Sequence, residues 1–126
     1  MRLLLDTATF IWALSSPERI SAKAMRMLRD PQAKRELSAI SLVEIAIKHK
    51  LGKLTYSSED VMIGIADLQL RVLPYTADHA FQLFRIPLHH ADPFDRQIIA
   101  QAVSEDIPVV TSDDKFKLYK EVQVIW

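Results

Sequence analysis

The sequence predicts an α/β domain with a central, mainly parallel sheet. Short apolar runs of strand length alternate with amphipathic segments of helix length along the whole chain. Such alternation requires crossover connections, and their right-handed preference places helices on both faces of the sheet. The chain has 126 residues, of which 49% are hydrophobic, so it has the length of one domain and enough apolar surface for a core. We therefore expect a single domain over residues 1–126.

The first half of the chain yields two strands and three helices. An apolar run over residues 2–5 is typical of a buried strand, and residues 9–14 carry apolar side chains at helical spacing. A helix over 21–29 follows, with a serine as its N-cap. Residues 37–40 form a second strand and residues 41–50 a helix that ends before a glycine. The side chains of this helix that we expect to face the core are Val43, Ile45, Ala46 and Ile47.

The second half continues the alternation. It contains predicted helices over 57–70, 76–84 and 93–105 and predicted strands over 71–73, 107–111 and 122–126. Asp92 and Pro93 mark one helix start, because Asp is a preferred N-cap and Pro fits the first helical position. Only two glycines are present, which excludes the glycine-rich loops that cradle phosphates in dinucleotide-binding and P-loop proteins.

Composition narrows the function further. The 16 basic and 16 acidic side chains balance, which argues against coating of nucleic acid by bulk charge but leaves a local basic groove open. The absence of cysteine excludes disulfides, zinc–thiolate sites and thiol catalysis. The N-terminal residues lack a signal-peptide pattern, and no apolar run approaches the roughly 20 residues of a membrane span. We expect a soluble cytoplasmic protein without a membrane partner.

Acidic residues follow the predicted strands or begin the helices beside them. The four that we select as a site are Asp6, Glu44, Asp95 and Asp113. Strand ends of a parallel sheet lie at one edge, where ligands bind, so these carboxylates would share a small space. Two carboxylates about 6 Å apart repel by roughly 3 kcal/mol at an effective dielectric near 20, so the group needs protons or a cation. Carboxylate ligands favour Mg²⁺ or Mn²⁺ over zinc, which predicts a metal-dependent enzyme.

Each acid also has a purely structural interpretation. Asp6 could cap the first helix or form an Asx-turn. Glu44 stands three residues after Ser41, the spacing of a capping box. Asp92 is a suitable N-cap, and Asp95 would interact favourably with the helix dipole. Each interpretation concerns one residue, whereas the metal site rests on the joint placement of all four acids.

Residues near the four acids have two interpretations as well. Asp113 lies nearer its strand end than Asp114, which stands beside lysines and looks exposed. Thr7 and Thr111 could position metal-bound waters or cap helices. The neighbouring histidines His89 and His90, beside Asp92, could suggest a pair of metal ligands, but adjacent side chains on an extended chain point in different directions. They are therefore expected to be surface or loop residues.

A basic stretch follows Glu44. It comprises Lys48, His49, Lys50 and Lys53. Lysines complement the dipole at a helix end, so the stretch could be an ordinary solvated terminus. The alternative is contact with a phosphate backbone next to the acidic pocket.

Four segments, in this order, resemble the PIN-domain ribonucleases, and in particular the VapC-like toxins of type II toxin–antitoxin pairs. They are MRLLLDTATFIWAL, SAISLVEIAIKHKLGKL, HHADPFDRQIIAQA and IPVVTSDDKFKLY. The resemblance implies a three-layer α/β/α sandwich and a Mg²⁺- or Mn²⁺-dependent ribonuclease. Its acidic quartet would fall on Asp6, Glu44, Asp95 and Asp113, with Thr111 as the usual hydroxyl residue before the last acid. Asp92 and Asp114 are additional acids near this quartet.

The resemblance also implies partners. They would be an RNA substrate, a second copy in a homodimer, and a cognate antitoxin through which the complex binds operator DNA. Two positions depart from many relatives: Ala8 stands where they have His, and Val43 where they have an aromatic residue. Neither belongs to the acidic quartet.

Two other functions compete with the nuclease. A phosphoacceptor signalling domain also uses acids at strand ends, but it needs an acidic pair after the first strand and a lysine after the last, and neither is present. A catalytically silent PIN-like binding module, which acts through a protein partner, would keep the fold without needing the quartet.

Overall fold

A computed structural model describes residues 1–126 and shows a five-stranded, entirely parallel sheet. The strand order is β3-β2-β1-β4-β5. The strands are β1 (Arg2–Leu5), β2 (Lys34–Ser38), β3 (Arg71–Leu73), β4 (Val109–Val110) and β5 (Val124–Ile125). The predicted α/β class with a parallel sheet is confirmed. Because β1 lies at the centre, between β2 and β4, the order reverses beside the residue that follows β1.

Six α-helices surround this sheet. They are α1 (Thr7–Ser15), α2 (Ala22–Leu28), α3 (Ala39–Lys50), α4 (Ser58–Asp67), α5 (Ala77–Gln82) and α6 (Pro93–Glu105). Two short 3₁₀ helices cover Pro17–Arg19 and Asp114–Leu118. No helix is long and apolar enough to cross a membrane.

The core lies on both faces of the sheet. Leu4 and Val109 face one side, where they join a cluster that includes Ile98 and Ile99 of α6. Leu3 and Leu5 face the other side, with apolar residues of α2. Alternation along β1 therefore separates the two helix layers, as expected for a strand buried on both faces. The predicted three-layer α/β/α arrangement is confirmed.

Several helix starts agree with the sequence, but the start of α3 does not. Ser21 caps α2, Ser57 caps α4 and Asp92 caps α6, as their patterns predict. The predicted capping box between Ser41 and Glu44 is wrong. Ser38 is the N-cap of α3, and its side chain accepts from the backbone N–H of Ile40, so the helix begins two residues earlier.

The buried face of α3 also differs from the predicted one. Val43, Ala46 and Ile47 were predicted to face the core, but all three are exposed, Val43 and Ile47 by 46% and 44%. The buried side of the helix instead includes Ile40, Glu44 and Ile45. Positions four residues apart share a helical face, so burial of Ile40 also turns Glu44 inward, towards the end of the sheet.

Strand β2 is longer and more polar than predicted. It begins at Lys34 and includes Glu36, a carboxylate that is only 1% exposed. Two guanidinium nitrogens of Arg2 donate to Glu36, at 2.6 and 2.9 Å. The run of three charged residues hides this strand from hydrophobic-pattern analysis, because the partner of Glu36 lies 34 positions away on β1.

Candidate active site

Asp6 lies in the crevice where the strand order reverses. It follows β1 and caps α1, and its Oδ1 accepts from the backbone N–H of Thr9 at 2.8 Å. Its Oδ2 accepts from Thr111 Oγ1 at 2.6 Å. Burial raises the pKa of the Asp6 carboxyl, although the hydrogen bonds from Thr111 and Thr9 act in the opposite direction. The structural interpretation of Asp6 as a helix cap is confirmed. A cap can also face a ligand, so its role in holding a metal stays a prediction.

Glu44 reaches the same crevice from α3. Its side chain is largely buried, and Lys48 Nζ donates to its Oε2 at 2.6 Å. The other oxygen, Oε1, is buried without a hydrogen-bond partner. A buried carboxylate oxygen without a partner is costly, so this atom is open to a cation or a donor from a ligand.

Asp92 and Asp95 enter from the start of α6. Asp92 Oδ1 accepts from the backbone N–H groups of Phe94 and Asp95, at 2.9 and 3.1 Å. Burial raises the pKa of Asp95 to about 7, and the neighbouring carboxylates add to the shift. Those carboxylates are Asp92, Asp113, Glu44 and Asp6. The predicted four acids are therefore close enough to repel one another.

Thr111 connects the first and last acids of the set. Its Oγ1 donates to Asp6 and accepts from the backbone N–H of Asp113 at 3.0 Å. Asp113 is the N-cap of the 3₁₀ helix over Asp114–Leu118, and its Oδ1 accepts from the backbone N–H of Lys115 at 3.0 Å. Asp114 has a side chain that is 91% exposed and pairs with Lys117 at 3.4 Å, so it points away from this group.

Thr7 links two elements near the candidate site. Its hydroxyl donates to Ser41 Oγ at 2.9 Å in a buried contact between α1 and α3. This bond ties the segment that carries Asp6 to the helix that carries Glu44. Thr7 thus holds two elements of the site together.

His90 is a residue of the site that the sequence analysis missed. It lies in the loop before α6, as one of the two expectations had it, but its side chain is nearly buried and is not at the surface. Its Nε2 lies 3.4 Å from Asp95 Oδ2, and its Nδ1 lies 2.8 Å from the hydroxyl of Tyr119. The only sequence signal was its position two residues before Asp92, because Tyr119 comes from another part of the chain.

Of the lysines in the predicted basic stretch, one lies at the candidate site and two are exposed beyond it. Lys48 belongs to the site: its hydrogen bond with Glu44 raises its pKa, and the charges of Asp92 and Asp95 add to this effect. Lys50 and Lys53 are exposed beyond it, near the end of α3. The stretch therefore places one cation among the carboxylates and two at the surface beside them.

The acids suit a divalent cation in chemistry, but they do not converge as they stand. No group of three or more His, Asp or Glu side chains is arranged so that it could hold a metal ion. Glu44 Oε2 is engaged by Lys48, and both oxygens of Asp6 accept hydrogen bonds. The unpartnered Glu44 Oε1 and the raised pKa of Asp95 nevertheless indicate a site with an excess of negative charge. An oxygen-rich site of this kind fits Mg²⁺ or Mn²⁺.

The raised pKa of Asp95 makes the stability of the metal-free protein depend on pH. Between the ordinary pKa of Asp, about 4, and about 7, the folded chain keeps a proton that the unfolded chain has lost. Stability from this group therefore falls as pH rises through that window. We expect Asp95→Asn to raise the Tm by a few degrees at pH 8 in EDTA, and by less at pH 5, as measured by circular dichroism.

The exposed neighbour of Asp113 provides the control for this measurement. Asp114→Asn removes one charge outside the cluster and should leave the Tm unchanged at both pH values. An equal rise for Asp95→Asn at pH 5 and pH 8 would contradict the titration as its cause.

Comparisons with known proteins agree with this architecture. The sequence matches the PIN domain over residues 3–122. Among solved structures, one is VapBC2 from Rickettsia felis, bound to a DNA fragment from its own promoter. It is 16% identical to this chain, with a TM-score of 0.67 over 98% of this chain and 97% of that one. DNA-bound VapBC from Salmonella typhimurium is 20% identical, with a TM-score of 0.68 over 98% and 96%. VapBC-5 from Mycobacterium tuberculosis, a member of the VapBC family of toxin–antitoxin systems, is 21% identical, with a TM-score of 0.63 over 98% and 97%.

No curated protein matches the sequence. At these identities the structural similarities establish the fold alone, which is the same fold that the sheet order shows. The sequence match, in contrast, extends from β1 to the residue two before β5 and includes all four acids. On this evidence the chain belongs to the PIN-domain family.

Proposed function

We propose that this chain is a Mg²⁺- or Mn²⁺-dependent endoribonuclease that hydrolyses RNA phosphodiester bonds as the toxin of a type II toxin–antitoxin pair. One observation carries the proposal. Asp6 and Glu44, which are buried, and Asp113, which is partly buried, come from separate parts of the chain and lie near enough to Asp95 that their charges add to the burial that raises its pKa to about 7. Carboxylates placed this close together destabilise the fold, since each makes ionisation of the others less favourable, so their placement indicates a functional site.

The residues that would hold the cation are Asp6, Glu44, Asp95 and Asp113. When bound, the cation would supply an activated water for attack on phosphorus and would offset the charge that develops on the phosphate and the leaving oxygen. Thr111 keeps Asp6 in place through the 2.6 Å hydrogen bond. Lys48 holds Glu44 and brings a positive charge into the crevice, where a phosphate group can approach it. No side chain has to act as the nucleophile.

The substrate in this proposal is RNA, single-stranded or looped, because its backbone can enter a crevice that a regular duplex cannot. Lys48 lies beside Glu44, and Lys50 and Lys53 are exposed at and just beyond the end of α3; in this proposal the three supply the positive charge that phosphates need. The net charge of the chain is zero, so such contacts have to be local.

Loss of the two exposed lysines should weaken RNA binding and leave the chemical step intact. We expect the double variant Lys50→Gln/Lys53→Gln to raise KM several-fold with little change in kcat. The slope of log KM against log salt should fall by about 0.7 for each phosphate contact that is lost. Steady-state cleavage of a labelled RNA at several salt concentrations measures both quantities.

Two exposed lysines outside the basic stretch provide the matched control. Lys23→Gln/Lys120→Gln removes an equal charge, of two units, and should not change KM. If both variants shift KM alike, general charge would account for binding and the proposed contact would be wrong.

The proposed protein partners are a cognate antitoxin and a second copy of the chain. The solved neighbours are VapBC complexes, two of them bound to DNA, which supports an antitoxin and operator binding through it. The surface supports protein contacts as well, since Val43, Ile47 and Leu51 form an exposed apolar stripe on α3. Beside it, an apolar groove of about 530 Å³ lies between α3 and α4.

Cleavage of a mixed RNA pool tests the proposed activity. Purified protein, freed of any antitoxin, is incubated with Mg²⁺, with Mn²⁺ and with EDTA, and the products are separated on a denaturing gel. Cutting in both metals and its loss in EDTA are the expected results. A folded, antitoxin-free protein that cuts no RNA in either metal would favour the catalytically silent binding module instead.

A further inference from the structure

His90 lies between a fixed core residue and an acid of the candidate site. Its Nδ1 is 2.8 Å from the Tyr119 hydroxyl, and its Nε2 is 3.4 Å from Asp95 Oδ2. The second distance is at the long end for a hydrogen bond, so this contact orients the carboxylate more than it binds it. No other side chain forms a hydrogen bond with the Asp95 carboxylate, and the neighbouring carboxylates repel it.

Tyr119 provides the fixed end of this arrangement. It is 1% exposed and belongs to the largest core cluster, together with Phe116 and Val122. The rings of His89 and His90 both pack edge-on against it, with centroids 4.9 and 5.5 Å away. Because the phenol ring cannot move without disturbing the core, its hydroxyl defines the orientation of the His90 ring.

The donors and acceptors along this chain determine the tautomer of His90. When Asp95 is ionised, as binding of a cation requires, its carboxylate only accepts hydrogen bonds, so the ring nitrogen that faces it carries the hydrogen. Nδ1 then presents its lone pair and accepts from the Tyr119 hydroxyl. The tautomer thus follows from the partners on both sides of the ring. The hydrogen bond from the buried Tyr119 hydroxyl to Nδ1 also directs the Nε2–H of His90 towards Asp95.

We propose that His90 is a positioning residue, which Tyr119 orients and which holds the Asp95 carboxylate ready for a divalent cation. The inference rests on the proposed function, because it assumes that Asp95 takes part in holding the cation. Partners that orient a ligand typically change metal affinity by about 10- to 100-fold when they are lost. His90 comes from the loop before α6, so it also links that loop to the site.

Binding of Mn²⁺ to the RNA-free protein tests this role, with free Mn²⁺ followed by electron paramagnetic resonance. We expect His90→Leu to weaken binding about tenfold. His90→Gln, which keeps an N–H near the place of Nε2, should stay within a few-fold of wild type. Tyr119→Phe should fall between the two. The matched control is His89→Leu, because His89 also packs on Tyr119 but makes no hydrogen bond to the site.

The double variant His90→Leu/Tyr119→Phe shows whether Tyr119 acts on Mn²⁺ binding through His90 or whether the two residues act independently. If Tyr119 acts only through His90, the double variant binds Mn²⁺ as weakly as His90→Leu alone. Additive losses, or wild-type binding by folded His90→Leu or Tyr119→Phe, would overturn the inference.

A wild-type chain that binds Mn²⁺ but cuts no RNA would end the nuclease proposal, and the Mn²⁺ series would still decide the role of His90. A wild-type chain that binds no Mn²⁺ overturns both.

Discussion

Asp6→Asn is expected to reduce RNA cleavage at least about a thousandfold, since a correctly held cation contributes several kcal/mol to the transition state. The fold should survive this change. Asn is as good an N-cap as Asp, so its oxygen can still accept from the backbone N–H of Thr9. The substitution also replaces a buried carboxyl, whose pKa is raised by burial, with a neutral amide, so the metal-free protein no longer has to bury this charge.

Cleavage rates at saturating RNA, together with thermal unfolding, test this prediction. Asp114→Asn is the matched control, because this acid is next to Asp113 in sequence but exposed and turned away from the cluster. The control should cleave within a few-fold of wild type. If Asp6→Asn retains more than a tenth of wild-type activity at unchanged Tm, Asp6 does not hold the cation.

Arg2→Met is expected to destabilise the protein by about 3 kcal/mol, because it leaves the Glu36 carboxylate buried without its partner. Glu36 is 1% exposed in β2, next to the central strand, and Arg2 donates two hydrogen bonds to it. A third bond from Arg2 reaches Glu105 at the end of α6. The free energy of unfolding of a domain of this size is about 5–15 kcal/mol in total, so this loss would lower the Tm by roughly 10 °C or more.

Urea unfolding of a double variant shows where this cost arises. Replacing both members of a buried pair by apolar residues is often neutral, so Arg2→Met/Glu36→Met should recover most of the lost stability. Arg26→Met on α2, an exposed arginine, is the control and should change little. If the double variant is no more stable than Arg2→Met alone, the loss reflects packing of the arginine stem and not an unpaired charge.

The sequence predicted most of the elements, because apolar periodicity and caps act over a few residues. Ser21, Ser57 and Asp92 were recognisable as helix starts, and each of them caps a helix. The pattern failed at β2, where Lys34, Arg35 and Glu36 read as a polar segment. A strand can contain a charge when another strand supplies its counter-ion, and that information is not local.

The same limit applied to the candidate site. Strand ends in the sequence selected Asp6, Glu44, Asp95 and Asp113, and the fold brings these four close together. Their binding of metal remains a prediction. The sequence could not show that Glu44 points inward, because this depends on which face of α3 packs against the rest of the protein. It also missed His90, whose anchor Tyr119 lies 29 positions along the chain.

By itself, the sequence determined the α/β class, the family resemblance and the types of residue available for chemistry, since these depend on composition, spacing and local order. Only the tertiary structure decided which charges are compensated. It paired Glu36 with Arg2 and Glu44 Oε2 with Lys48, and it left Glu44 Oε1 without a partner. The reason is physical: the cost of a buried charge depends on what lies within a few ångströms, and those neighbours come from distant parts of the chain.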